Sequence, residues 1–282
     1  MKRIAFGTVF GLIMGCGFII AAMWESSEGQ FSMFVNYPSL FIIMGGTLAS
    51  MVIGFPMDTL KTLPSVIGVA FLNRVKKNQA ISDIETIVGY ANMVRREGIL
   101  ALENELDHLN DDPFLQKGIG FLVDGVGEET FELLLQTEMA QSKKRHTDGC
   151  AMIGYIAATA PSLGLVGTYA GLIPMLNSLD DPSALGPLMA LELVSSFYGA
   201  FMAYIIFAPL AKRLQAIGSA ESSRNVLLTE GLLNIRDGYN PRLIQENLTA
   251  FVSKAELDRA QKRGRTVGSG TSVGAEAGAG AR

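Results

Sequence analysis

The chain alternates between long apolar blocks and long polar ones. Residues 4–24 run without a charged side chain just after Lys2 and Arg3. That matches one bilayer crossing, which takes about 20 apolar residues in a helix. A polar turn over residues 25–37 leads to Pro38, which suits the first turn of a helix. Residues 39–55, SLFIIMGGTLASMVIGF, form a second span near the short limit, and Pro56 marks its end. The preceding FSMFVNY suits a membrane interface, where aromatic rings are favoured. Two further spans are predicted at residues 147–176 and 187–210, joined by an acidic turn holding Asp180 and Asp181.

The polar blocks carry a helical period. Ile84, Ile87, Val88, Ala91 and Met93 recur on one face, and Ser82 with Glu85 fits a capping box. The predicted fold class is an all-α membrane protein. It has four transmembrane helices and a helical cytoplasmic domain between the second and third spans. The expected divisions are a first transmembrane hairpin (1–56), a cytoplasmic helical domain (57–146), a second transmembrane hairpin (147–210), a cytoplasmic helical extension (211–263) and a disordered Gly/Ser/Ala-rich tail (264–282). A cleaved leader would also begin with Lys2 and Arg3. The apolar stretch is too long for one, and no small-x-small site follows it. Gly7, Gly11, Gly15 and Gly17 include four-residue spacings that let helices approach closely; ordinary transmembrane glycine is the other reading.

Charge sets the orientation. Of 23 Lys and Arg, two precede the first span, ten lie in residues 57–146 and eleven follow the fourth span. The two short loops hold none. Basic residues mark the cytoplasmic side, so both termini and residues 57–146 are expected there. At 18% charged residues the chain falls below the roughly 25% of soluble domains, and its net charge of −4 gives no basis for a nucleic-acid partner. Cys16 and Cys150 stand at unrelated positions, which argues against a disulfide framework. His108 and His146 stand alone in polar sequence and read as solvated surface. With no phosphate-binding glycine loop, no nucleophile beside a base and no metal cluster, the chain is not expected to be an enzyme or to hold a cofactor.

No ionisable residue falls near the middle of any span, where ion pathways usually carry one. Apart from Asp148 at the edge of the third span, Glu192, about one turn into the fourth, is the one acid inside a span. It could draw cations into an entrance, or it could reach water near a helix start, where the dipole favours an acid. If the chain carries ions, a partner must supply the carboxylate. Thr168, Ser195 and Ser196 place hydroxyls in otherwise apolar helices. A hydroxyl oxygen can replace water around a small cation, or it can bond to its own helix. Pro161 and Pro209 can kink their helices by removing a backbone bond.

The run AP-x-LG-x-VGT-x-x-GLI-x-ML, then DDPSALGP, SSFYG and AP-x-A-x-RL, resembles the A-subunit of the flagellar motor stator, of the MotA and PomA type. That type sits within a wider ion-driven family with TolQ and ExbB. The resemblance covers roughly residues 1–255 and includes the segment Arg95-Arg96-Glu97-Gly98-Ile99-Leu100-Ala101-Leu102-Glu103. It implies a multi-pass protein of the bacterial inner membrane that forms a ring, a pentamer, around two copies of a B-subunit (MotB/PomB type). The B-subunit brings the ion-binding carboxylate, and the second hairpin lines it. Ion flow would turn the ring against the flagellar rotor switch protein. The resemblance assigns rotor contact to Arg95, Arg96 and Glu103, coupling to Pro161 and Pro209, and the ion pathway to Thr168, Ser195 and Ser196. Transported Na+ or H+ replaces any cofactor. Hydroxyls at all three pathway positions favour sodium, although Ser195 and Ser196 stand where sodium-type members carry threonine. The alternative is a TolQ/ExbB-like subunit that energises the cell envelope; such subunits usually have three spans.

Overall fold

The computed structural model describes residues 5–72, 79–254 and 256–257. The expected tail, 264–282, and the last residues of the expected extension lie outside them. Every regular element among the described residues is helical. In chain order the main helices are α1 (Phe6–Ser26), α2 (Tyr37–Gly54), α3 (Leu63–Ala70), α4 (Gln79–Glu97), α5 (Pro113–Val123), α6 (Glu128–Asn177), α7 (Pro182–Arg236) and α8 (Pro241–Thr249). Four of these, α1, α2, α6 and α7, are long and apolar enough to cross a membrane.

Two of the predicted helix starts move. Helix α6 is one helix of 50 residues beginning at Glu128, well before the predicted start at residue 147. The sequence turns from polar to apolar there, but composition alone does not end a helix, and no Gly or Pro interrupts residues 128–148. Helix α7 starts at Pro182, five residues before the predicted Pro187, because Asp181 accepts the Ser183 N–H at 3.0 Å and caps it. Pro187 therefore lies inside the helix. The capping box at Ser82 is also corrected. Helix α4 already includes Gln79, and the Ser82 carbonyl accepts the Thr86 hydroxyl within it, so Ser82 is an interior residue.

The chain divides into two units. The first comprises residues 1–74 and 143–219. Here Asn36 caps α2, accepting the Ser39 N–H at 3.0 Å. Helix α2 widens into a π turn over Phe41–Gly45, and α7 does the same over Met202–Phe207, just ahead of Pro209. Proline lacks an N–H and its ring collides with the carbonyl four residues back; a π turn shifts the pairing and lets the helix run on. Met51, Met152, Ile153, Ile156, Leu210 and Leu214 form the core. Arg213 donates to the Ala70 carbonyl at 2.6 Å and so places a cation at the C-terminal end of α3. Helix α1 has no buried residue and leaves Phe6, Ile13 and Phe18 exposed, as a lipid-facing or partner-facing helix would.

The second unit comprises residues 75–142 and 220–282. Its core is of the water-soluble kind: Ile87, Leu102, Ile119, Phe131, Leu228, Leu232, Ile244 and Leu248 are all fully buried. Gly231 lets Ile87 approach; a Cβ there would lie 2.8 Å from the Ile87 methyl carbon.

Candidate functional site

In the first unit, α6 and α7 meet almost backbone to backbone. A Cβ at Gly199 would lie 2.7 Å from the Ala160 carbonyl oxygen and 3.2 Å from the Cα atoms of Pro161 and Gly164. One at Gly171 would lie 2.8 Å from the Leu188 carbonyl oxygen, and Gly167 is filled by the Ser195 side chain. Gly164, Gly167 and Gly171 are spaced by three and four residues, so they fall on one face of α6. Without the hydrophobic effect between helices in lipid, association depends on such close approach.

The hydroxyls divide along this seam. Ser195 is fully buried, and its Oγ donates to Ser39 Oγ at 2.9 Å. Ser39, also fully buried, donates to Asn36 Oδ1 at 2.9 Å and lies 3.3 Å from the Leu191 carbonyl oxygen. Tyr198 donates to the Phe34 carbonyl and accepts from the Asn36 N–H at 3.4 Å. Ser195 thus belongs to a polar knot that ties α7 to the start of α2. Ser196 and Thr168 are half-exposed, and Thr168 Oγ1 donates to the Leu165 carbonyl at 2.6 Å. That bond uses the hydroxyl proton and leaves oxygen lone pairs available. Pro161 packs at Gly199, Pro209 is exposed just past the π turn, and the Glu192 backbone packs on Gly171. Thr47 Oγ1 on α2 is buried and has no hydrogen-bond partner among the described residues.

In the second unit, Arg95 and Arg96 occupy the last turn of α4, where cations complement the helix dipole. Gly98 follows at φ +86°, ψ 169°, a backbone region essentially reserved for glycine. The chain there turns into the 3-10 helix Ile99–Leu109, which carries Glu103. Arg95, Arg96, Leu100 and Glu103 are all exposed, Leu100 at 68%.

Behind this surface lies an ionic clamp. Arg224 on α7 donates to Asp83 on α4 through Nε at 2.7 Å and Nη2 at 2.9 Å, and also pairs with Asp112 at the start of α5. Burial alone would lower the guanidinium pKa, but the bonds and charges of the two carboxylates outweigh it and hold the group charged beyond its usual range. Asp112 also caps α5, accepting the Leu115 N–H at 3.4 Å. Tyr90 beside this cluster is pushed up, first by burial and then by the charges of Glu105 and Asp112.

Neither the clamp nor the Ser39 knot was singled out from the sequence. Asn36 ahead of Pro38 carried a legible N-cap signal. Asp83 and Arg224 are 141 residues apart, and no local pattern pairs them.

Four membrane-capable helices, two packed backbone to backbone along a hydroxyl-bearing seam, define a multi-pass α-helical membrane protein. Comparison with known proteins gives its family. The sequence model of the MotA/TolQ/ExbB proton channel family matches residues 107–226. The protein YtxD of Bacillus subtilis is 33% identical over 268 residues, covering 94% of this chain and 97% of that protein. Chemotaxis protein PomA of Vibrio alginolyticus is 34% identical over 249 residues, covering 88% and 96%. The structure of the flagellar MotAB stator complex from Bacillus subtilis aligns with a TM-score of 0.79 at 26% identity, covering 90% of this chain and 98% of that one. The chain belongs to the MotA/TolQ/ExbB proton channel family, in its MotA/PomA branch.

Proposed function

We propose that this protein is the A-subunit of a flagellar stator, which converts a transmembrane cation gradient into torque on the rotor. The observation that carries this reading is the extent of the likeness: alignment to PomA and to a MotAB stator structure runs along about nine-tenths of the chain. The chemistry agrees. The spans carry hydroxyls and Glu192 but no central acid, so a B-subunit dimer supplies the ion-binding carboxylate. The protein forms a pentameric ring around that dimer in the inner membrane, with both termini and residues 57–146 in the cytoplasm.

Thr168 and Ser196 are the reachable oxygens of the ion pathway, and Ser195 acts beside them by fixing the seam. Their neutral oxygens suit sodium. Glu192 serves as a cation entrance. Pro161, at the close approach of α6 to Gly199 of α7, and Pro209, just past the π turn, couple ion passage to movement. Arg95, Arg96 and Glu103 meet the rotor switch protein. Exposed charges suit a contact that forms and breaks repeatedly, since each pair is weak and steers encounter. One charge crossing 100 mV releases about 2.3 kcal/mol, so the ring's rotational states must lie close in energy.

The test is swimming speed against external sodium at fixed pH, in a motile host lacking its own stators and supplied with this chain and its cognate B-subunit. Speed that rises and saturates with sodium supports the reading. Speed indifferent to sodium but abolished by a protonophore replaces sodium with protons. No motility with both proteins in the membrane turns the assignment to energising the cell envelope.

A further inference from the structure

Thr47 is buried, with 4% of its surface exposed, and its Oγ1 is the one buried side-chain nitrogen or oxygen among the described residues without a hydrogen-bond partner. A threonine hydroxyl inside a helix ordinarily bonds to a carbonyl three or four residues back. Thr86, Thr147 and Thr249 bond four residues back, and Thr168 three. Thr47 sits just past the π turn of α2, where the Gly46 N–H is shared between the Ile42 and Ile43 carbonyls. Pairing is irregular there, and the Thr47 hydroxyl reaches no carbonyl of its own helix.

Ser39, Ile43, Thr47 and Met51 recur every four residues on one buried face of α2. Ser39 meets Ser195 and the Leu191 carbonyl of α7. Further along, Met51 shares a core with Ile206, Phe207 and Leu210 of α7. The two helices therefore run side by side in the same direction. Eight residues beyond the Ser39–Ser195 bond, Thr47 comes level with Ala203, which is fully buried and lies in the π turn of α7.

That turn is short of a donor. The Ala208 N–H donates five residues back to the Ala203 carbonyl. Pro209, next in the same register, has no N–H to offer the Tyr204 carbonyl. In lipid neither that carbonyl nor the Thr47 hydroxyl can turn to water, and polar groups there must find partners within the protein. π turns inside α-helices also occur often at functional sites. A π turn is one extra residue held in a helix. It migrates when bonds change between five and four residues back, and each change releases one carbonyl while it engages another.

We propose that Thr47 is the donor for a second arrangement of α7. In the arrangement described, its hydroxyl is unpaired and the Tyr204 carbonyl lacks its Pro209 donor. When the π turn migrates, a carbonyl that it releases accepts the Thr47 hydroxyl. The second arrangement gains the bond that the first lacks, which brings the two close in energy and lets ion binding select between them. The inference rests on the coupling reading of Pro209 and deepens it: Pro209 keeps a π turn in α7, and Thr47 on α2 is the group it works against.

The test is swimming speed in a motile host lacking its own stators, supplied with the cognate B-subunit and this chain as parent, Thr47→Val or Thr47→Ser. The melting temperature of each detergent-solubilised complex is measured beside it. Valine keeps the branched shape and loses the hydroxyl; serine keeps the hydroxyl. Thr47→Val is expected to slow swimming about fivefold, the change in a two-state balance that one hydrogen bond makes, with a melting temperature at or above the parent's. Thr47→Ser is expected to keep the parent's speed. Parent speed in Thr47→Val overturns the inference and leaves the stator reading standing. A lowered melting temperature in Thr47→Val overturns it too, because the hydroxyl then has a partner in the first arrangement. Equal slowing in Thr47→Ser overturns it by assigning the effect to shape. No swimming with the parent chain strikes the stator reading itself, and this inference with it.

Discussion

The α6–α7 seam and the second unit hold helices together by opposite means. In the seam, Gly164, Gly167, Gly171 and Gly199 remove side chains until backbone meets backbone, and hydroxyls bridge what is left. In the second unit, large side chains such as Phe131, Leu228 and Leu232 are fully buried, and one ionic clamp crosses three elements. The difference follows from the solvent each is built for. Water drives apolar side chains together, so bulk stabilises the second unit. Lipid gives no such drive, so close van der Waals approach and interhelical hydrogen bonds stabilise the seam. A buried ion pair adds little net stability, yet breaking one side of it is costly. The clamp is therefore better understood as fixing the position of α4, which carries Arg95 and Arg96, than as a source of stability.

The largest effect is expected at the clamp. Arg224→Ala leaves the buried Asp83 and the half-buried Asp112 without their cation and should cost about 3–5 kcal/mol. Hydrogen exchange on the purified protein should show faster exchange in α4 and α5 and little change in α1 or α2. Uniform protection across both units would mean the clamp fixes nothing. Next is Gly199→Ala, whose methyl group would collide with the Ala160 carbonyl and should cost about 1–3 kcal/mol by overpacking. The check is thermal unfolding in detergent; Gly120→Ala, where nothing lies within 4 Å, is the control in the water-facing unit. Parent-like stability in Gly199→Ala would show that the seam is looser than described.

Thr47→Val should move the other way. It removes a buried hydroxyl without a partner and should raise stability by about 1 kcal/mol. A loss on thermal unfolding would instead mean that this hydroxyl finds a partner in the assembled protein.

The smallest effects are those of pH. Folded Tyr90 keeps its proton above the ordinary value of 10.0, so the folded state binds more protons than the unfolded chain there. Stability of the second unit should fall as pH rises past about 10, and Tyr90→Phe should remove that fall. Asp181, held below 3.8 by its hydrogen bonds to Ser183, acts in the opposite sense. The start of α7 should loosen as pH drops below that value, as helicity measured against pH would report.

Much of the fold was legible because lipid imposes a strong constraint on composition. Four long apolar blocks with almost no charge gave four membrane-capable helices, and the glycine and hydroxyl positions of the third and fourth marked the seam. Helix ends were less legible. The polar-to-apolar change at residue 147 looked like a boundary, although the backbone hydrogen-bond ladder runs through it from Glu128. The candidate site was legible one residue at a time. Thr168, Ser195 and Ser196 look alike in sequence, but only Ser195 is buried against α2.

The sequence by itself determined the all-helical class, the four segments long and apolar enough to cross a membrane, and the residues that carry the family resemblance. These depend on local composition and period, which a single chain states directly. Only the tertiary structure decided that Ser39 meets Ser195, that Arg224 clamps Asp83 and Asp112, and that Thr47 comes level with the π turn of α7. Each of these joins residues far apart in the chain. Which distant residues meet is set by how whole helices pack, and local sequence does not specify that.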